Sequence, residues 1–364
     1  MFFDSASHHS INFYGKIIMK FNTVYLDSIG YELAPNVLTS DDIERCLEPL
    51  YHTLHFQKGQ LEMITGIRER RYWDPGYHMY EGAALAGKKA LQSSSISPEM
   101  IGMLVYGGVC RDQLEPATAC AVNNELRLGQ HTMIYDVSNA CLGVLNGMIQ
   151  VASAIELGQI QAGMVVSCES SRQIMDISIQ RMLETRDMTV FRKTVATLTG
   201  GSGAVAVILT HASVSSKGRR LLGGAIRNAS QHHGLCCWGP DTGIPATMPQ
   251  VMETDSAGVL QHGVALGVET YRIFRQEMKW SADKPDKIIC HQVGATHQKT
   301  ILDALGISKE KDFVTYPFLG NIGTVSLPIT AAIASERGFL EKNDIVGFFG
   351  IGSGLNCIMM GLEW

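Results

Sequence analysis

From about Phe21 to the C-terminus, short apolar runs alternate with helical patterns, and this alternation constrains the fold more than any other feature. Met103–Tyr106, Met164–Val166, Ala204–Leu209, Ile288–Cys290 and Ile345–Phe349 read as buried strands. Glu81–Ser93, Leu142–Leu157, Val264–Met278 and His297–Leu305 between them read as helices. Strand and helix in turn predict an α/β architecture. Only 18% of the chain is charged, against roughly 25% in an average protein, so the 364 residues should enclose a large interior. The net charge of −5 offers nothing to nucleic acid or an anionic membrane surface. No apolar run approaches the roughly 20 residues of a membrane span. Met1–Ile18 carries Asp4, His8, His9 and Ser10 and has no secretory pattern. The nine cysteines form no regular framework, and many sit in apolar runs, so free thiols in a reducing cytoplasm are expected.

An internal echo suggests duplication. Gly201-Ser202-Gly203 feeds the apolar run Ala204–Leu209, and Gly352-Ser353-Gly354 feeds Leu355–Met360. Each is a glycine turn entering a strand, one near mid-chain and one at the end. The polar stretch Ser213–Arg220 is the natural seam. The expected organisation is an N-terminal extension over 1–20, a first α/β half over 21–215 and a second over 216–364.

Asp136-Val137-Ser138-Asn139-Ala140-Cys141 runs directly into an apolar helical pattern beginning Leu142-Gly143. Cys141 therefore falls at or just before a buried helix N-terminus. Unpaired N–H groups and the helix dipole there favour a thiolate, and the same N–H groups can hold an oxyanion. Gly143 and Gly147 would admit close backbone contact. Position alone also fits a buried structural cysteine. His291 follows the strand run Lys287–Cys290, at the strand end where α/β sites gather. Asn321 lies in the glycine-flanked turn Leu319–Gly323. Spacing alone does not bring Cys141, His291 and Asn321 together.

Thr65-Gly66-Ile67-Arg68-Glu69-Arg70-Arg71, Asn139-Ala140-Cys141, His291-Gln292, Gly320-Asn321 and Gly350–Gly354 resemble, in the same order, the motifs of ketoacyl synthase III-type enzymes of the thiolase superfamily. The resemblance implies a thiolase fold, with two duplicated α/β halves in an αβαβα layered arrangement, in a homodimer. It implies a Cys141–His291–Asn321 triad and an oxyanion hole from the backbone N–H groups of Cys141 and Ser353. No cofactor is implied; the acyl thioester is substrate.

Leu114-Glu115-Pro116-Ala117-Thr118 matches a loop that carries phenylalanine in the decarboxylating members. Loss of CO₂ from a malonyl group makes a carbanion without a base. A plain acyl thioester must lose an α-proton, which requires a general base. A carboxylate in an apolar setting, with its pKa raised, serves that purpose. Glu115 thus resembles the base of the subgroup that joins two fatty acyl-CoA molecules in long-chain olefin biosynthesis. In that subgroup the glutamate reaches across the dimer interface. The implied reaction is a non-decarboxylative Claisen condensation through an acyl-Cys141 intermediate, giving a 2-alkyl-3-oxoacyl thioester. The alternative is a decarboxylating 3-oxoacyl-[acyl-carrier-protein] synthase III using malonyl on its carrier. Acyl carrier protein and downstream pathway enzymes are the further partners in view.

Two departures limit the carry-over. Gln60, Leu61 and Ile64 stand where bacterial type-III synthases place tryptophan and arginine, so no adenine-stacking contact is expected. Leu319 stands where histidine often precedes Gly-Asn. His232-His233 and Cys236-Cys237 lack the usual metal-ligand spacing, so no metal is expected. Lys217, Arg219 and Arg220 could meet CoA phosphates but read first as a solvated basic surface. Of the 17 methionines, Met175, Met182, Met188, Met248 and Met252 read as core or as lining for a lipid channel. Gly201-Ser202-Gly203 is not set in a dinucleotide fingerprint.

Overall fold

The computed structural model describes residues 18–214, 218–239 and 251–364. The chain runs β1 (Ile18–Lys20), β2 (Val24–Leu33), β3 (Asn36–Thr39), α1 (Ser40–Cys46), α2 (Glu48–Leu54), α3 (Gln60–Thr65), β4 (Glu69–Tyr72), α4 (Met79–Ser93), β5 (Ile101–Gly107), α5 (Thr118–Leu126), β6 (Met133–Val137), α6 (Gly143–Glu156), β7 (Ala162–Glu169), α7 (Arg172–Thr185), α8 (Met188–Thr194) and β8 (Gly203–His211). It continues with β9 (Arg220–Asn228), β10 (Cys236–Gly239), β11 (Val251–Thr254), α9 (Ser256–Met278), β12 (Lys287–Cys290), α10 (Ala295–Leu305), α11 (Tyr316–Leu319), α12 (Ser326–Glu336), β13 (Ile345–Gly352) and β14 (Asn356–Glu363). All five apolar runs singled out in the sequence are strands, and all four helical patterns are helices.

Strand pairing repeats. The first set is ordered β6-β5-β7-β8-β2, with β6, β5 and β7 parallel and β8 and β2 antiparallel to their neighbours. The second is ordered β12-β13-β14-β9, with β12 and β13 parallel and the other two antiparallel. A lone parallel bridge from Ile288 to Asp312 occupies the place that β6 holds in the first set. The two sets join through a single pair, Tyr25 with Arg220. Each glycine turn of the internal echo leads into the corresponding strand, β8 or β14. Ile18–Lys20 pairs antiparallel with β9, and residues 1–17 lie outside the described residues.

The helices form three layers around these sheets. Apolar side chains of α6 and α12 pack in one cluster with the inner faces of both sheets. Residues of α4 and α5 cover the outer face of the first sheet, and those of α9 and α10 the outer face of the second. The order is αβαβα. A parallel strand covered on both faces needs apolar residues throughout, which is why β5 and β7 read as continuous runs without alternation. Val144, Leu145, Met148, Val151 and Ile155 of α6 are all buried. Each contributes about 1.5–3 kcal/mol by leaving water, so the helix behind Cys141 is rigidly seated. A separate lobe of α1, α2, α3 and α7 closes over its own small core.

Candidate active site

Cys141 sits in a tight turn between β6 and α6. Ala140 takes φ 45°, the left-handed region that a non-glycine residue rarely occupies, and Leu142 N–H donates to Asn139 O at 2.9 Å. Asn139 ties this turn to two other elements. Its Nδ2 donates to Asn146 Oδ1 at 2.8 Å, and its Oδ1 accepts from Asn356 Nδ2 at 3.1 Å. Gly143 is required where it stands, because a Cβ there would lie 2.7 Å from Gly107 O. Gly147 likewise faces Val165, whose Cγ1 would be 2.6 Å away. The helix leaves its first N–H groups without intrahelical partners, and the Val144 N–H donates to Thr324 Oγ1 at 2.8 Å.

The second half supplies the facing wall. His291 follows β12 directly, held by its N–H to Phe349 O at 2.9 Å. Its Nδ1 pairs with Ser326 Oγ at 2.7 Å, and Nε2 has no protein partner among the described residues. Asn321 is clamped through its backbone: its N–H donates to Thr199 O at 2.8 Å, and its O accepts from Gly201 N at 2.9 Å. Its Oδ1 accepts from Gly323 N at 3.1 Å. These bonds orient the turn with Leu319, and no histidine, buried before it. Gly352 lies over the nucleophile turn, where a Cβ would sit 3.4 Å from Cys141 N. Cys141, His291, Asn321 and Ser353 all line one cavity of about 190 Å³. Its remaining wall is mostly apolar, from α9, α10, β13, β14, Cys236 and Met252.

Burial works against a ready thiolate. Desolvation, followed by the Glu169 carboxylate, pushes the Cys141 thiol up to about 12. Burial also pushes His291 down to about 4, with His297 beside it acting in the same direction. Both shifts favour the uncharged forms of the pair. The imidazole is free to accept a proton, and the sulfur has to lose one as it attacks.

Glu115 stands apart. It lies in the exposed loop between β5 and α5 and is not in the wall of its own chain's cavity. A single chain therefore gives it no apolar setting. In the basic cluster Arg219 stacks over Trp364 at 4.6 Å, and the half-exposed Arg220 pairs with Glu363 at 3.1 Å. Lys217 and Met248 lie outside the described residues. His232 stacks on His262, with ring centroids 3.7 Å apart. Sequence reasoning missed Ser326 and Thr324 as site residues. Both lie within five residues of Asn321, but only the turn into α12 aims them at His291 and α6.

The family models for 3-oxoacyl-[acyl-carrier-protein (ACP)] synthase III match residues 135–229 and, for its C-terminal part, residues 276–364. The acyl-CoA:acyl-CoA alkyltransferase of Shewanella oneidensis is 49% identical over 95% of this chain and 100% of its own length. The chain belongs to the acyl-CoA:acyl-CoA alkyltransferase (OleA) family. The Xanthomonas campestris alkyltransferase is 34% identical over 95% of this chain and all of its own. Among solved OleA structures is a cysteine-to-serine variant of the Xanthomonas campestris protein with bound lauric acid and lauroyl-CoA. It superposes with TM-score 0.88 at 33% identity, covering 94% of this chain and 100% of that one. The layered fold is thus the thiolase fold of this family, and the chain is a thiolase-superfamily condensing enzyme.

Proposed function

We propose that this acyltransferase condenses two fatty acyl-CoA molecules without decarboxylation. The observation that carries the reading is one apolar cavity on which a cysteine, a neutral histidine and a glycine-clamped asparagine converge, in a chain 49% identical to an acyl-CoA:acyl-CoA alkyltransferase. Cys141 Sγ attacks the thioester carbonyl of the first acyl-CoA while its proton passes to His291. The proton leaves with CoA as its thiol, and an acyl-Cys141 remains. The backbone N–H groups of Cys141 and Ser353 receive the oxyanion, a contact worth about 10²–10³ in rate. The alkyl chain lies against the apolar walls from α9 and α10.

A second acyl-CoA then places its carbonyl toward His291 and Asn321. Glu115 removes the α-proton, the enolate carbon attacks acyl-Cys141, and collapse expels the Cys141 thiolate. The product is a 2-alkyl-3-oxoacyl-CoA, and the proton taken by Glu115 is balanced by one returned through solvent to the Cys141 sulfur, which restores the resting thiol. That product is of the class consumed in long-chain olefin biosynthesis.

A homodimer with Glu115 serving the partner's cavity fits the single chain. Among the described residues β6 ends its sheet with an unpaired edge, Met133 on it is 56% exposed and Leu114 is 87% exposed. Such an edge is ordinarily covered. All nine cysteines are free, which suits a reducing cytoplasm. No helix among the described residues is long and apolar enough to cross a membrane.

Two variants test the division of labour. Cys141→Ala should form no acyl adduct by mass spectrometry; an adduct on that variant removes the nucleophile. Glu115→Ala should acylate normally and fail to condense. Unimpaired condensation by it points to decarboxylative chemistry.

A further inference from the structure

Three carboxylates outside the cavity wall converge on the loop that carries Glu115, and each accepts two backbone N–H groups. Glu169, at the end of β7, takes those of Val109 at 2.9 Å and Cys110 at 3.3 Å, where the loop leaves β5. Asp136, on β6, takes those of Thr118 at 2.8 Å and Ala119 at 2.9 Å, where it enters α5. Asp112, within the loop, takes those of Met79 at 2.7 Å and Tyr80 at 2.9 Å at the start of α4, with His78 Nδ1 at 3.3 Å from its Oδ1. Tyr106 adds a bond from its hydroxyl to Cys110 O at 2.7 Å.

Cys110 adds two bonds at the same root, its Sγ donating to Ser170 O at 3.4 Å and accepting from Ser170 N at 3.3 Å. Residues 113–116 are exposed, and no side chain between 111 and 117 is buried. Hydrophobic packing therefore does not set the position of Glu115. Charge-assisted acceptance of N–H groups does, because it is short, directional and fixed at both roots of the loop. Geometry at this point matters, since a displacement of about 1 Å can cost about 10²-fold in rate.

We propose that Asp112, Asp136 and Glu169 are positioning residues for condensation, holding the loop so that Glu115 is presented at a fixed place to the α-proton of an acyl-CoA. The proposal rests on Glu115 being the general base. Asp136 also lies on the strand that leads to Cys141, five residues before it, so the loop and the nucleophile share one rigid support.

The test uses full-length Asp112→Asn and Asp136→Asn, each of which keeps side-chain size and removes one of two equivalent acceptor oxygens. Three readouts are taken with a saturated fatty acyl-CoA. They are acyl-adduct formation on Cys141, steady-state condensation, and exchange of α-hydrogens in D₂O with the Cys141→Ala background added. Acylation should match wild type, while condensation kcat and α-exchange fall together by about 10²-fold with KM unchanged. A merely structural loosening would lower acylation in parallel, and that result overturns the proposal. So do wild-type condensation and exchange in both variants. Glu115→Ala, run alongside, separates the two readings. If it exchanges and condenses normally, the base assignment itself fails. If it is inactive while both aspartate variants behave as wild type, only the positioning role fails.

Discussion

The protonation state of the resting nucleophile can be worked out from the structure and measured directly. Burial lifts the Cys141 thiol from an ordinary value of 9.0 to about 12. Three pKa units correspond to about 4 kcal/mol against the thiolate. The start of α6 opposes this, but a helix terminus contributes at most about 2 kcal/mol even in a favourable buried geometry. Desolvation wins, and the thiol stays well above its ordinary value. At pH 7 the thiolate is then a far smaller fraction than the few per cent of a free cysteine. Alkylation of Cys141 by iodoacetamide should be slower than that of a free thiol by about a hundred- to a few-thousand-fold. Its rate should rise about tenfold per pH unit from pH 6 to pH 10 without a plateau. Because His291 is neutral above about pH 4, His291→Ala should leave this profile nearly unchanged. A rate independent of pH between 5 and 9, abolished by His291→Ala, would show a resting thiolate–imidazolium pair and refute the reasoning.

Other consequences are as specific. Ser326→Ala strands His291 Nδ1 in a buried site, at a cost of about 1–3 kcal/mol. If His291 serves both half-reactions, acylation and condensation should each slow by about 5–150-fold, read by rapid-quench kinetics. Gly143→Ala drives a Cβ to 2.7 Å from Gly107 O, and backbone cannot swing aside as a side chain can. It should cost about 1–3 kcal/mol, seen as a lower urea midpoint. Glu156 is opposed by burial, yet the bonds it accepts from Thr23 and Asn22 outweigh that and hold its pKa below the usual carboxylate value. Its contribution is therefore present above an unfolded pKa of about 4.3 and lost as pH falls through the folded value. Glu156→Gln should be less stable than wild type at pH 7 by thermal melts, and the difference should shrink as pH falls below about 4.

The α/β class was legible because β5, β7, β8, β12 and β13 are buried on both faces and so stand out as unbroken apolar runs. Duplication was legible only through two glycine turns, since the matching strand orders depend on pairings far apart in sequence. Cys141 announced itself by its place before a mostly apolar helix. His291 and Asn321 did not, because the contacts that bring them to the cavity come from Phe349, Ser326 and Thr199, and no spacing rule joins those residues. The opposing effect of burial on Cys141 was not legible for a related reason. A helix start is visible in sequence, whereas the depth of protein packed around the sulfur is not. Glu115 is the opposite case: its chemistry could be argued from the loop alone, yet one folded chain leaves it in solvent.

The central claim is that two plain acyl thioesters are joined without loss of carbon. It is tested most directly by incubating the enzyme with a single fatty acyl-CoA and no malonyl donor, then weighing the products. The expected result is one thioester whose mass equals two acyl-CoA molecules less one CoA, with no CO₂ evolved. If the enzyme forms no such product until malonyl thioester is supplied, and then releases CO₂ with each turnover, the account is contradicted.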